Sequence, residues 1–223
     1  MTVLLALDTA TEACSAALAV GEHVTSCYEV CPQQHTQKIL PMVDSLLTEA
    51  ALTLADVDAI VYGRGPGSFT GVRIGIGMAQ GLAFAAGKPL LGVSTLAALA
   101  QQAYEEEGEQ QVLAMIDARM GELYCGAYQL QDGLMTLVGE EQVLAPPQLT
   151  SPWPALAVGT GVDAYPDCLA GAALHAGRTR LPQARYMLAK ARQLLAQGHC
   201  QDALSAEPVY LRDKVTWKKL PGR

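Results

Sequence analysis

One pattern of sixteen residues occurs twice in the chain. VLLALDTATEACSAAL, starting at Val3, lies over VLAMIDARMGELYCGA, starting at Val112, and the overlay puts Asp8 on Asp117 at a constant offset of 109. In each copy a continuous apolar run that suits a buried strand meets a short polar turn and then a second apolar run. A repeat of this kind predicts a duplicated strand-turn-strand unit, hence an α/β chain of two similar domains facing each other.

The rest of the chain extends that frame. Val24–Cys31 reads as a third strand, and His35–Ala50 switches to helical period with Ile39, Val43, Leu46, Leu47 and Ala50 on one face. Leu40 and Met42 widen that face beyond what one core needs. Ala59–Tyr62 is a short strand running into GRGPGSFTG, after which Val72–Ala86 is helical, capped by Ser68 or Thr70. The acidic run Glu105–Glu109 separates the halves at 1–104 and 110–223. After it, Leu156–Gly159 is a strand entering Thr160 and Gly161.

Charge and cysteine usage narrow the function classes. Residues 1 to 110 carry 4 Lys+Arg against 12 Asp+Glu, and residues 111 to 223 carry 11 against 10, so the net charge of −7 sits in the first half. An acidic half repels a phosphate backbone, so this chain alone is a poor nucleic-acid ligand. A basic segment from Arg212 to Arg223 is the exception. The six cysteines form no CxxC pair and the four histidines stand apart, which excludes zinc ribbons and fingers. The N-terminus has no basic n-region, and the longest apolar stretch, Ile74–Gly87, is too short to span a bilayer. A cytoplasmic protein with reduced thiols is expected.

Several constellations carry two readings. The glycines at 63, 65, 67 and 71, with Pro66, make either an anion-holding helix start or a turn that lets strand and helix pack closely. No Walker loop or GxGxxG is completed there, and the GxGxxA at Gly159, Gly161 and Ala164 is a lone match. Asp8 and Asp117 either hold hydrated magnesium, with Thr9 and Thr11 on phosphate oxygens, or cap strand-end turns. His35 has Ile39 where a second ligand one turn on would stand, so a surface or capping role is expected rather than metal. Ser68 lies in no GxSxG elbow. The helix from Gly71 to Gly87 is apolar almost all round and is expected to be buried on every side. Its Gly71, Gly75 and Ala79, spaced by four, form a ridge that another helix could approach. Either this chain's own sheet uses these helices up, or a second chain covers them.

LALDTATEACSAAL, HTQKILPMVDSLL, YGRGPGSFTGVRIGIGMAQGLA, GVSTL, IDARMGELY and EPVYLR together resemble the bacterial TsaB proteins, also called YeaZ, over nearly the whole chain. The resemblance implies the actin-like ATPase fold of sugar kinases, Hsp70 and actin, with two duplicated domains of mixed sheets flanked by helices. It also implies that residues 207–223 pack back on the first domain. Its implied function is that of a non-catalytic subunit in making threonylcarbamoyladenosine on tRNA, dimerising with the transferase TsaD and working with the ATPase TsaE. Alone the chain would form a homodimer, and tRNA would be reached only through the complex. The implied interface lies on helices 35–50 and 71–87, at Ile39, Leu40, Met42, Val43, Leu46, Leu47, Gly71, Ile74, Gly75 and Met78. Asp8, Thr9, Thr11 and Asp117 would be a vestigial phosphate and magnesium site. On this expectation the chain alone binds no cofactor, and ATP and magnesium enter with the complex. A small-molecule kinase or ATPase of the same superfamily is the alternative.

Overall fold

In the computed structural model, which describes residues 1–212, the run Val3–Asp8 (β1) is buried along its whole length. A strand covered on both faces needs no alternation of polar and apolar residues. β1 pairs antiparallel with Ala13–Val20 (β2), and β2 with His23–Val30 (β3). On its other edge β1 pairs parallel with Ala59–Gly63 (β4), which pairs with Leu90–Val93 (β5). The chain passes from β3 to β4 through helix α1 (His35–Glu49), and from β4 to β5 through α2 (Phe69–Ala86). It leaves the sheet through α3 (Thr95–Glu107). Ser68 and Ser94 accept first-turn N–H groups of α2 and α3, and Gly87 and Gly108 end those helices in the left-handed conformation.

The second half repeats this order. Gln111–Arg119 (β6), Glu122–Gln131 (β7), Leu134–Leu144 (β8), Ala155–Val158 (β9) and Leu174–Ala176 (β10) make a sheet ordered β8-β7-β6-β9-β10, the counterpart of β3-β2-β1-β4-β5. The strand senses also correspond. The repeat is incomplete in its helices. Where α1 should recur there is one 3-10 turn at Pro146–Gln148, because prolines at 146, 147, 152 and 154 remove donors and block helical growth. Between β9 and β10 stand only two short helices, α4 (Gly161–Ala164) and α5 (Asp167–Gly171). After β10 a 3-10 turn, Ala184–Met187, leads into α6 (Leu188–Ala196).

The helices make five layers with the sheets. One face of the first sheet packs Leu5, Leu7 and Ile60 against α1 and α2. Its other face packs Leu4, Ala6 and Val61 against Met187, Leu188 and Ala191 from the end of the second half. Reciprocally, Leu96, Leu99 and Ala103 of α3 fill one face of the second sheet. α4 and α5 cover its outer face through Val162 and Ala172. Each half thus supplies a helix that the other half buries. The segment after α6 returns to the first half, where Gln201 bridges to Leu90 and the Val209 N–H donates to the Arg64 carbonyl. Arg212 then reaches the second half, donating to the Ala118 carbonyl and to Glu122. The rest of the expected returning tail, 213–223, lies outside the described residues.

Candidate functional site

The turn from Asp8 to Glu12 is enclosed by the glycine loop. A Cβ added at Gly63 would overlap Asp8 Oδ2, one at Gly67 the Ala10 carbonyl, and one at Gly71 the Thr9 carbonyl. One at Gly75 would stand 2.7 Å from Thr9 Oγ1. These glycines therefore let β4 and α2 close onto the turn. Hydrogen bonds complete the seal: Thr9 Oγ1 donates to the Gly71 carbonyl at 2.7 Å, and the Ser68 N–H to the Ala10 carbonyl at 2.7 Å. His35 Nε2 meets the Thr11 carbonyl at 2.8 Å and is buried beneath the turn rather than standing at the surface.

Asp8 and Thr9 are 1% exposed and Thr11 is 6%. Asp8 Oδ1 accepts the Ala10 N–H at 3.0 Å, and Oδ2 has no partner among the described residues. Burial pushes the Asp8 carboxyl up to about 6, against the opposing pull of that N–H. A hydrated magnesium ion or a phosphate needs oxygens presented to an open space. Here the free oxygen faces the Gly63 backbone, so the residues do not fit that group and act as a buried turn cap.

Asp117 differs in a way the overlay hides. Matching strand faces by the crossover helices that cover them puts Leu5 and Leu7, under α2, on Leu113 and Met115, under α4 and α5. That is an offset of 108 for β1, whereas Cys14 and Ala16 of β2 match Leu123 and Cys125 at 109. The antiparallel registers agree, since Asp8 pairs with Ser15 but Asp117 with Leu123. Strand side chains alternate, so this one-residue difference turns Asp8 and Asp117 toward opposite faces of corresponding sheets. Asp117 accepts the Arg119 N–H at 2.9 Å, the Tyr165 hydroxyl at 3.1 Å and Arg119 Nη1 at 3.0 Å. Arg119 also reaches Glu12 at 3.2 Å, tying the two turns together. The expected pair of carboxylates around one ion is not formed. Among the described residues no cluster of three or more His, Cys, Asp or Glu is placed to hold a metal.

The helix residues divide by face. Ile39, Val43, Leu46 and Leu47 of α1 and Gly71 and Gly75 of α2 are spent on the first sheet and the Asp8 turn. All six are buried within this chain, which leaves the exposed side-chain surface of these helices to their other residues. Leu40 is 42% exposed, and Met42, Ile74 and Met78 are half-buried. α2 is also not buried all round: Phe69 and Phe84 are 67% and 75% exposed. Its open stripe carries a second smooth ridge, Gly77, Gly81 and Ala85, again spaced by four. Nothing lies within 4 Å of a Cβ added at Gly77 or Gly81. The period of four was visible in the sequence, but two ridges share it and only burial separates them.

Composition gave no hint of a polar network between the halves. Glu141 of β8 accepts the Tyr128 hydroxyl at 2.6 Å and the Ser94 hydroxyl, and Arg64 Nη2 stands 3.7 Å from its other oxygen. Burial and the Glu141 charge keep the Tyr128 phenol protonated well beyond its usual range.

The sequence profile of the family described as "TsaD: tRNA N6-adenosine threonylcarbamoyltransferase" matches residues 27–219. The tRNA threonylcarbamoyladenosine biosynthesis protein TsaB of Escherichia coli is 50% identical, with 99% of both chains covered. The Haemophilus influenzae protein of that name is 45% identical over 99% of this chain and 98% of its own. The solved structure of YeaZ from Pseudomonas aeruginosa superposes with a TM-score of 0.88 at 49% identity, covering 95% of this chain and all of the other. The paired five-stranded mixed sheets with their flanking helices are the actin-like ATPase fold. By sequence over its full length and by fold, the chain belongs to the TsaB, or YeaZ, family.

Proposed function

We propose that this chain is a subunit in the biosynthesis of tRNA threonylcarbamoyladenosine and works by binding a TsaD-type transferase rather than by turnover of its own. The observation that carries the reading is the outer stripe of α2. Ile74, Gly77, Met78, Gly81 and Phe84 form an open apolar face on a helix whose inner face is already filled. Small residues at every fourth position let a helix of another chain approach closely, and the flanking Phe84 and Leu40 supply apolar area to bury. The sealed Asp8 turn supports the same reading, since a kinase would need those oxygens open to nucleotide and metal. Nucleotide and magnesium then enter with the assembled complex and the TsaE-type ATPase. The acidic first half leaves tRNA contact to that complex. The same face would join two copies when the partner is absent. The proposed place of action is the cytoplasm; no described helix is long and apolar enough to cross a membrane.

The test is Gly81→Gln combined with Phe84→Asp, two exposed positions where a fold-neutral change is expected. Wild-type chain mixed with its TsaD counterpart should elute as one complex, and the double variant should elute apart from it. The variant's melting temperature should stay within about 3 °C of wild type, the shift that goes with about 1 kcal/mol in a chain this size. Co-elution of the folded double variant would refute the assignment.

A further inference from the structure

A cavity of about 590 Å³ lies where the two halves meet, a size that suits a small metabolite. Its walls come from the ends of β4 and β5, the start of α3, the β7–β8 pair, α6 and the returning segment 199–209. Two acids line it: Glu207 is exposed on the returning segment, and Glu141 is already satisfied, taking two hydroxyls and an arginine with its side chain only 6% exposed. The cations are not. Arg64 offers five N–H donors in a fixed fork, yet its described side-chain contacts amount to the 3.7 Å approach to Glu141. Lys190, reaching in from α6, donates to Gln193 Oε1 at 2.6 Å and forms no ion pair among the described residues. Burial, and then the Arg64 charge, hold the Lys190 ammonium below its usual range, so the two cations sense each other through the cavity.

We infer that this cavity is a binding site for a small anionic molecule, whose phosphate or carboxylate oxygens sit between Arg64 and Lys190. An anion there would relieve the repulsion between two like charges and fill donors that the fold leaves open. General surface charge does not account for such affinity, because the chain carries −7 and repels anions at long range. Arg64 comes from the first half and Lys190 from the second, so the bound molecule would also brace the junction. This site is separate from the Asp8 turn and from the outer face of α2.

The test uses the full chain with sodium pyrophosphate and, separately, sodium malonate, at ionic strength matched with sodium chloride. Calorimetric titration and thermal melts should show saturable binding and a raised melting temperature with one of the two. Binding of pyrophosphate alone assigns phosphate esters, and binding of malonate alone assigns carboxylates. Lys190→Gln is the deciding variant, since Arg64→Gln would also strip Glu141 of its cation. It should weaken binding about tenfold, the factor that corresponds to 1.4 kcal/mol. No binding of either anion at about 10 mM, weaker than any affinity a built site of this kind should show, overturns the inference. So does equal binding by wild type and Lys190→Gln.

Discussion

At Asp8 a single carboxylate is held where its charge is unwelcome. Its folded-state pKa is raised by burial to about 6, from 3.8. A raised acid favours folding fully below the unfolded value and loses that contribution as pH climbs through the folded one. Between pH 4 and pH 7 the wild-type chain should therefore lose about 2 kcal/mol from this residue, at 1.36 kcal/mol per unit and with the unfolded carboxyl already half ionised at pH 4. Asp8→Asn keeps an oxygen for the Ala10 N–H and has no proton to lose. Urea unfolding of the two proteins at pH 4 and pH 7 should show the advantage of Asn growing by about that amount, and a pH-independent difference would remove the buried charge from the account. The composition of the turn was legible in the sequence, including its capping role. Its burial was not, because it depends on glycines 55 to 67 residues away.

At the scale of elements, α2 shows how one helix can carry two small-residue faces with opposite tasks. Gly71 and Gly75 face the turn, and Gly77 and Gly81 face outward. The contrast predicts opposite signs for one chemical change. Gly71→Ala drives a methyl into the Thr9 carbonyl and should cost about 2 kcal/mol or more, in the range of overpacked sites. Gly77→Ala meets nothing and should stabilise by about 0.5–1 kcal/mol through helix propensity. Denaturant midpoints at constant slope would decide both, and like signs would overturn the division of faces. Helical period alone could place a ridge on α2 but could not say which one meets the sheet.

In the whole molecule, the halves are duplicated in topology but not independent in packing. α3 leaves the first half to bury Leu96 and Leu99 in the second sheet's core, while Met187 and Leu188 cover the first. Glu107, at the end of α3, accepts the N–H groups of Arg178 and Thr179 across that boundary. These bonds outweigh its burial and hold the Glu107 carboxyl below its usual range. A fragment of residues 1–104 would expose one whole sheet face together with the apolar side of α3. It should be unfolded or aggregated, and a dispersed amide spectrum from that fragment would show the exchange to be dispensable. The intact chain should unfold in one cooperative transition, measured by coincident far-UV and near-UV signals.

The amino-acid string alone carried the duplication, the strand order within each hairpin, α1 and α2 with a serine or threonine cap on α2, and the membership of a family. All of these rest on local pattern or on the string as a whole. It placed Asp8 and Asp117 as equivalents because an ungapped overlay counts residues, whereas a sheet counts faces, and one residue reverses a face. The sealing of Asp8, the choice of Gly77–Gly81 as the outer ridge of α2, and the cavity shared by Arg64, Glu141 and Lys190 emerge with the folded chain. Those depend on segments far apart in the chain, brought together by burial of apolar area that no local signal encodes.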